Sequence, residues 1–406
     1  MKMNRVTRRI VATSALVMLT IPFGMKFYVE SQSTASQRQA GKFLLLGDVP
    51  QARAQVKWLH FLSPSNPIAL HVLGMCEEIE GNRTNAIGFY QQAVTESSLG
   101  SDLHQQASIR LGISLSEERL FDRAEDVLTT HIEQYPESNQ PRAILKTIYV
   151  SQLRLTEAYR VLISAIGDTS DNQFILLELL SVENYPNAND VVTYMIDILK
   201  DHPRQASVHL ALGVAYWRTG DFQNARPQFR EALTLRPNDR RFRIVAAEFY
   251  LEDGRQQESM ALVDNTPPDD NDDHYWSLRS RIAERENRFE DAVSYMDNAL
   301  RIDPAERRYI YSKARLLQRL GKSAQAEMLH TQVNRIAAAS LELLGLSLQM
   351  AKVSPNADDI VRLGDQYELA ERPQVADAWR SLTSTTFEGD ARQLNQVSAD
   401  SPPNSR

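Results

Sequence analysis

A pattern of helix-sized apolar segments that returns about every 34 residues constrains this chain more than any other feature. The clearest unit covers residues 206–239, ASVHLALGVAYWRTGDFQNARPQFREALTLRPND. It carries Leu212 and Gly213 at positions 7 and 8, Tyr216 at 11, Gly220 at 15, Ala225 at 20, Phe229 at 24, Ala232 at 27 and Pro237 at 32. The same frame starts again near Ser33, Pro67, Gln105, Asn139, Asn172, Arg240, Asp273, Arg307 and Ala357. With the unit at Ala206 included, the start-to-start spacings are 34, 38, 34, 33, 34, 34, 33, 34 and 50. Unrelated amphipathic helices would not hold that phase. The chain therefore reads as an array of helix pairs, each too small to bury its own apolar face. For 406 residues, this replaces the default expectation of two or three conventional domains.

Each recurring residue type has a mechanical reason. A small residue recurs at position 20 (Ala52, Ala86, Ala124, Ala158, Ala225, Ala292, Ala326, Ala376) and glycine at position 8 (Gly74, Gly112, Gly213, Gly364). These are points where the two helices of a unit cross closely. Large residues at position 24, such as Tyr90, Leu128, Leu162, Met195, Phe229 and Met296, fill the space between helices. Glycine at position 15 (Gly47, Gly81, Gly220, Gly254, Gly321) supplies the left-handed residue of the turn. Proline at position 32 (Pro64, Pro136, Pro203, Pro237, Pro304) stops the second helix. Two units depart from the pattern: the one at Asn172 has Val191 at position 20 and Pro186 in its turn. The one at Arg240 has Ser259 at position 20, and its second helix ends early at Thr266-Pro267-Pro268.

The eight matched positions of the 206–239 unit resemble the tetratricopeptide repeat family, whose 34-residue unit is a helix–turn–helix. The resemblance implies an all-α, right-handed solenoid with a concave groove. It extends over about 33–387, dense in the centre and degenerate elsewhere. Residues 33–335 hold about nine units; residues 336–387 hold an extra helix from Ile336 to Lys352, packed inside the array, and a partial final unit. Residues 388–406, rich in Ser, Asp, Asn, Gln and Pro, read as a disordered tail.

The amino terminus has a different character. Residues 1–9 carry Lys2, Arg5, Arg8 and Arg9 and no acid, and residues 10–25 carry no charge at all. From Ile10 to Val29 the run is long enough for about 30 Å of helix, the thickness of a bilayer core. Residues 10–29 are therefore expected to form one transmembrane signal anchor behind a cytoplasmic basic stub, with the repeats outside the cytoplasm by the positive-inside rule. Cleavage after Ala35 is the competing reading. It would cut into the first helix of the array, because Gly47 to Pro64 already fit positions 15 to 32 of the unit starting at Ser33.

Chemistry-bearing motifs are few. A net charge of −7 gives no argument for nucleic acid. The single cysteine, Cys76, excludes an intramolecular disulfide and CxxC metal knuckles, and a buried thiol is the simplest expectation. The eight histidines do not pair at i, i+4, and HExxH, GxGxxG, P-loop and GxSxG motifs are absent. His131 and His330 fall on packing positions and read as core residues. The acidic stretch DNTPPDDNDD from Asp264 lacks the alternation and distal glutamate of a calcium loop and reads as a solvated connection. Asn82-Arg83-Thr84 matches a glycosylation acceptor but lies in a turn, where polar residues are expected anyway. No enzyme activity, cofactor or metal is expected.

The resemblance implies that the first helix of each unit lines the groove through positions 2, 5, 9, 12 and 13. Those positions give Leu210, Val214, Trp217 and Arg218 in one unit, then Arg241, Arg281, Arg285, Arg308, Tyr311, Arg315 and Arg319 further along. Trp217 could anchor a partner or pack on the next repeat. The arginine row could bind carboxylates of an acidic segment or pair with Glu248, Glu252 and Glu284 of the same face. No asparagine stands at position 9, which disfavours the carboxylate clamp of chaperone co-factors. The function expected is a membrane-anchored scaffold that binds proteins or peptides in envelope assembly, secretion or complex organisation. The alternatives are an accessory subunit of an envelope enzyme such as a glycosyltransferase, or a soluble secreted protein.

Overall fold

A computed structural model describes residues 32–167, 172–182, 186–350 and 356–382. All regular structure among them is helical. The anchor expected at 10–29 and the tail at 388–406 lie outside the described residues. Among the described residues, no helix is long and apolar enough to cross a membrane.

The chain divides into two units, Met1–Tyr135 and Pro136–Arg406. The first contains α1 (32–45), α2 (Val49–Leu62), α3 (Pro67–Ile79), α4 (Arg83–Glu96), α5 (Asp102–Glu117) and α6 (Phe121–Gln134). The second contains α7 (Gln140–Ser151), α8 (Leu155–Ile163), α9 (Asn172–Val182), α10 (Ala188–Asp201), α11 (Ala206–Arg218), α12 (Phe222–Leu235), α13 (Arg240–Glu252) and α14 (Gln256–Asp264). It continues with α15 (Asp273–Arg285), α16 (Phe289–Ile302), α17 (Arg307–Arg319), α18 (Ser323–Met350), α19 (Ala357–Leu369) and α20 (373–382).

The 34-residue frame translates directly into geometry. Position 15 has positive φ in nine of the units: Gly47, Gly81, Gly220, Gly254 and Gly321, and also Arg119, Leu153, Asn287 and Glu371 at φ 57–60°. The turn thus demands a left-handed residue whether or not glycine supplies it. All eight alanines at position 20 are fully buried, and Val191 and Ser259 occupy the same point at 2% and 0% exposure. A Cβ on Gly74 would come within 2.6 Å of the Tyr90 ring, and one on Gly213 within 3.2 Å of Phe229. Position 8 is therefore small because position 24 of the same unit fills its space.

The prolines act one residue upstream. Helices α2, α6, α10, α12 and α16 each stop two residues before the proline. The intervening residues Ser63, Tyr135, His202, Arg236 and Asp303 all have φ between −127° and −142° with ψ of 69–89°. That is the extended region into which a following pyrrolidine ring forces its neighbour. An aromatic cluster joins α11, α12 and α13, where the Phe229 and Phe249 rings stack at 4.4 Å with Phe242 in the same core.

Three local expectations need correction or refinement. The helix expected to begin at Ile336 is the second half of α18, a single 28-residue helix. It is not buried all round: Ile336, Ala339, Leu343 and Leu346 face inward, while Leu341 is 72% exposed. His330 is half-buried rather than core, lying edge-on to Tyr311 and bonded to Gln318. His131 is buried, with Ser108 Oγ 2.7 Å from its Nδ1. Cys76 is buried, and that burial pushes its thiol up to about 11.

The acidic connection after α14 is structural. Asp272 caps α15 through the Tyr275 amide at 2.9 Å and accepts from Arg240 at 2.6 Å, while Asp264 pairs with Arg279 at 2.9 Å.

Candidate functional site

In the second unit, α8 makes contacts well beyond its own repeat. Arg160 on α8 lies 2.5 Å from the buried carboxylate of Asp273 at the start of α15, and the Tyr309 hydroxyl donates to Asp273 at 3.2 Å. Arg372 bonds Asp303 at 2.8 Å and lies over the Tyr159 ring at 5.0 Å, which brings the last repeat against α8 as well. The start of α8 thus stands on the face formed by the first helices α11, α13, α15 and α17, which the repeat frame assigns to first helices.

What remains is a groove of about 630 Å³ between the α7–α8 turn, α11, α13 and the starts of α15 and α17. Its floor is apolar: Leu153, Leu210 and Ala211 are buried, and Val214 and Val245 are half-buried. Its walls carry Arg154, Glu157, Trp217, Arg218, Glu248, Glu252, His274, Glu306, Arg307 and Arg308.

A buried polar chain fixes the α7–α8 wall. Gln152, fully buried, donates from Nε2 to Ser207 Oγ at 3.2 Å and accepts from Arg154 at 3.0 Å. Arg154 in turn lies 4.0 Å over the Tyr149 ring and donates to Glu157 at 3.1 Å. Leu153, in the left-handed conformation between these two residues, is what turns Gln152 and Arg154 toward α11 and α8 together. Burial alone would raise the Glu157 carboxyl, but the charges of Arg154, Arg241 and His274 outweigh it and hold its pKa below the usual range.

A ladder of ion pairs between successive first helices stands behind the opposite wall and continues beyond it. Arg281 on α15 reaches back to Glu248 and Glu252 on α13, both at 2.7 Å. Arg315 on α17 reaches back to Glu284 on α15 at 2.7 Å, with Arg319 3.8 Å from the same carboxylate. Arg308 pairs with Glu306 at 3.0 Å. The indole N–H of Trp217 donates to Glu252 at 2.7 Å, and its ring packs edge-on against Phe229 and Phe249. Trp217 thus packs on the next repeat and, half-buried, also lines the groove. Arg285 and Arg307 make no ion pair among the described residues.

Of the eleven residues named from the sequence, Leu210, Val214, Trp217, Arg218 and Arg308 line this groove. Leu210 does so from beneath, at 3% exposure. Arg281 stands behind the wall through Glu248 and Glu252. Arg241, Arg285, Tyr311, Arg315 and Arg319 are outside the lining, and Arg241 stacks on Phe242 at 4.8 Å. The α7–α8 segment 152–157, His274, Glu306 and Arg307 were missed. No signal in the repeat frame identifies 152–157, because only the contacts of α8 beyond its own repeat bring it to the groove.

Residues 216–282 and 273–306, from the end of α11 into the α16–α17 turn, each match a model described as tetratricopeptide repeat. No curated protein matches the chain. Among solved structures, the chain is similar to a tetratricopeptide repeat protein from Parabacteroides merdae, at 14% identity over 71% of this chain and 99% of that one, TM-score 0.29. It is similar to PilW, a type IV pilus biogenesis factor, at 16% identity over 62% and 96%, TM-score 0.33. It is also similar to a chain of the APC/C hetero-tetramer Cut9–Hcn1, at 12% identity over 90% of each, TM-score 0.37.

Proposed function

We propose that this chain is a scaffold held at a membrane by residues 10–29, which takes a segment of a partner protein into the groove of its second unit. The groove itself is the observation that carries this reading. An apolar floor under a rim of alternating guanidinium and carboxylate groups offers burial to one or two side chains of an extended segment and hydrogen bonds to its backbone. Most of the rim charges neutralise one another, so they orient a ligand more than they attract one. Arg307, without an ion pair, supports an acidic residue in the partner segment, the part of the arginine-row expectation that remains.

The basic stub before residue 10 supports a cytoplasmic amino terminus with the repeats on the other side, the layout of a bacterial inner-membrane protein facing the periplasm. Envelope assembly, secretion or complex organisation are the roles that layout suits.

The test is photo-crosslinking of the full chain in native membranes, from a reactive side chain at Val214 and, as control, at exposed Gln223 on α12. A discrete partner adduct from position 214 that is absent from position 223 is expected. Identical products from both positions, or none, would remove the groove from the account. Release of the chain by alkaline carbonate would remove the anchor.

A further inference from the structure

The first repeat carries an apolar edge where the chain enters the described fold. Helix α1 begins at residue 32, so only two residues separate it from the apolar run 10–29. Ser33, buried, accepts from Asn66 Nδ2 at 3.1 Å, and Asn66 caps α3 through the Ala69 amide at 3.0 Å. The α2–α3 turn is therefore fastened beside that entry point. At the end of α2, just before this turn, Phe61 is 83% and Leu62 41% exposed. Trp58 is half-buried one turn earlier, and Lys57, Pro64 and Ser65 are exposed.

Charge sets this edge apart. No aspartate or glutamate occurs between Asp48 and Glu77, in a chain that holds 52 acids. A half-buried tryptophan beside an exposed phenylalanine and lysine are the residue types that settle at a bilayer surface: amphipathic or apolar rings at headgroup depth, with an ammonium on a flexible stem. Three chain links from residue 29 to residue 32 reach at most about 10 Å, comparable with the headgroup layer.

We propose that the last turn of α2 and the α2–α3 turn, with Trp58, Phe61, Leu62, Pro64 and Lys57, rest in the headgroup layer of the bilayer that residues 10–29 enter. This rests on the membrane-anchor reading above and adds an orientation to it: the first repeat is held edge-down on lipid instead of swinging on a linker. The lipid surface is the occupant because only two residues of sequence separate the run that would cross it from α1, whose start is bonded to the turn, and because the stretch 49–76 lacks the acids that a lipid headgroup layer would repel. Leu46 provides an internal control. It is 81% exposed but follows the far end of α1, about 20 Å from residue 33.

The experiment uses the full chain in vesicles of phosphatidylethanolamine and phosphatidylglycerol, with an environment-sensitive fluorophore on Phe61→Cys or Leu46→Cys. Buried Cys76 leaves the introduced thiol as the reactive one. Both substitutions are at exposed side chains, and circular dichroism checks that each variant keeps its helix content. The label at position 61 is expected to shift to the blue, lose quenching by aqueous iodide and gain quenching by headgroup spin-labelled lipid. The label at position 46 is expected to behave as in solution. If the protein floats with the vesicles while position 61 remains as open to iodide as position 46, the docked edge is overturned and the anchor stands. If the protein does not float with the vesicles, both are overturned.

Discussion

At the residue scale the fold is held by a few positions whose chemistry is dictated by a neighbour 12–16 residues away. Gly74 faces Tyr90 and Gly213 faces Phe229, but at different clearances of 2.6 and 3.2 Å for an added Cβ. Gly74→Ala is therefore expected to destabilise the first unit by about 1–3 kcal/mol through overpacking. Gly213→Ala should be close to neutral, because the helix propensity gain of about 1 kcal/mol offsets the tighter contact. Gly220 has open space around it but φ +80°, so Gly220→Ala should cost about 1–2 kcal/mol with no clash at all. Denaturant unfolding of the three variants separates these causes. His71 makes a second residue-scale prediction. Burial, with help from the Arg110 charge, lowers its pKa from 6.5 to about 4, so the folded chain resists a proton that the unfolded chain accepts. The unfolded state then binds more protons between those values, and stability should fall as pH drops from 6.5 toward 4, by up to about 3 kcal/mol. A His71→Gln variant should lose that slope in an equilibrium unfolding series. Positions 8, 15, 20 and 24 were legible in the sequence because each is a contact within one repeat. The left-handed turns at Arg119, Leu153, Asn287 and Glu371 were not, because no glycine marks them.

Among the elements, helix ends were readable and helix courses were not. Each proline at position 32 stops its helix through the residue before it, a purely local effect that sequence carries in full. Pro227 is a local effect of the other kind. It sits on the exposed side of α12, inside the helix, and deprives the ladder of one amide. Pro227→Ala should raise thermal stability, by up to about 3 kcal/mol, without altering the packing of Phe229. An unchanged or lower melting temperature would mean that the helix is already relaxed around the ring. Helix α18 is where local reasoning failed. Nothing between Asn334 and Ala337 breaks a helix, so the second helix of its unit simply continues for 28 residues. Its inward residues Ile336, Ala339, Leu343 and Leu346 keep a three-and-four spacing, which marks a one-sided helix even though its sequence is apolar almost throughout.

For the whole second unit the decisive feature is the placement of α8 against later repeats, and that depends on a pair 113 residues apart in sequence. Burial would raise the Asp273 carboxyl, but His274, Arg160 and the Tyr309 hydroxyl together hold its pKa below the usual value. The stabilisation this gives is present above the ordinary carboxylate range and is lost as pH falls through the depressed value. Asp273→Asn should weaken the unit by on the order of 2–3 kcal/mol at neutral pH, less than a fully buried pair because Arg160 keeps 38% of its side chain in water. The variant should also lose part of the wild-type dependence below pH 4, read from acid unfolding curves. The repeat frame told which helices exist and which face each buries. It could not tell that the start of α8 stands on the face of the later first helices, because repeat periodicity encodes contacts between neighbours only. The most direct test of that placement is intramolecular crosslinking between Thr156→Cys on α8 and Arg307→Cys on α17, which line the same groove and carry no ion pair to lose. A short bis-maleimide should join them in the folded chain and fail after denaturation. A folded chain that gives no crosslink would mean that α8 stands away from α17 and that there is no groove of this composition.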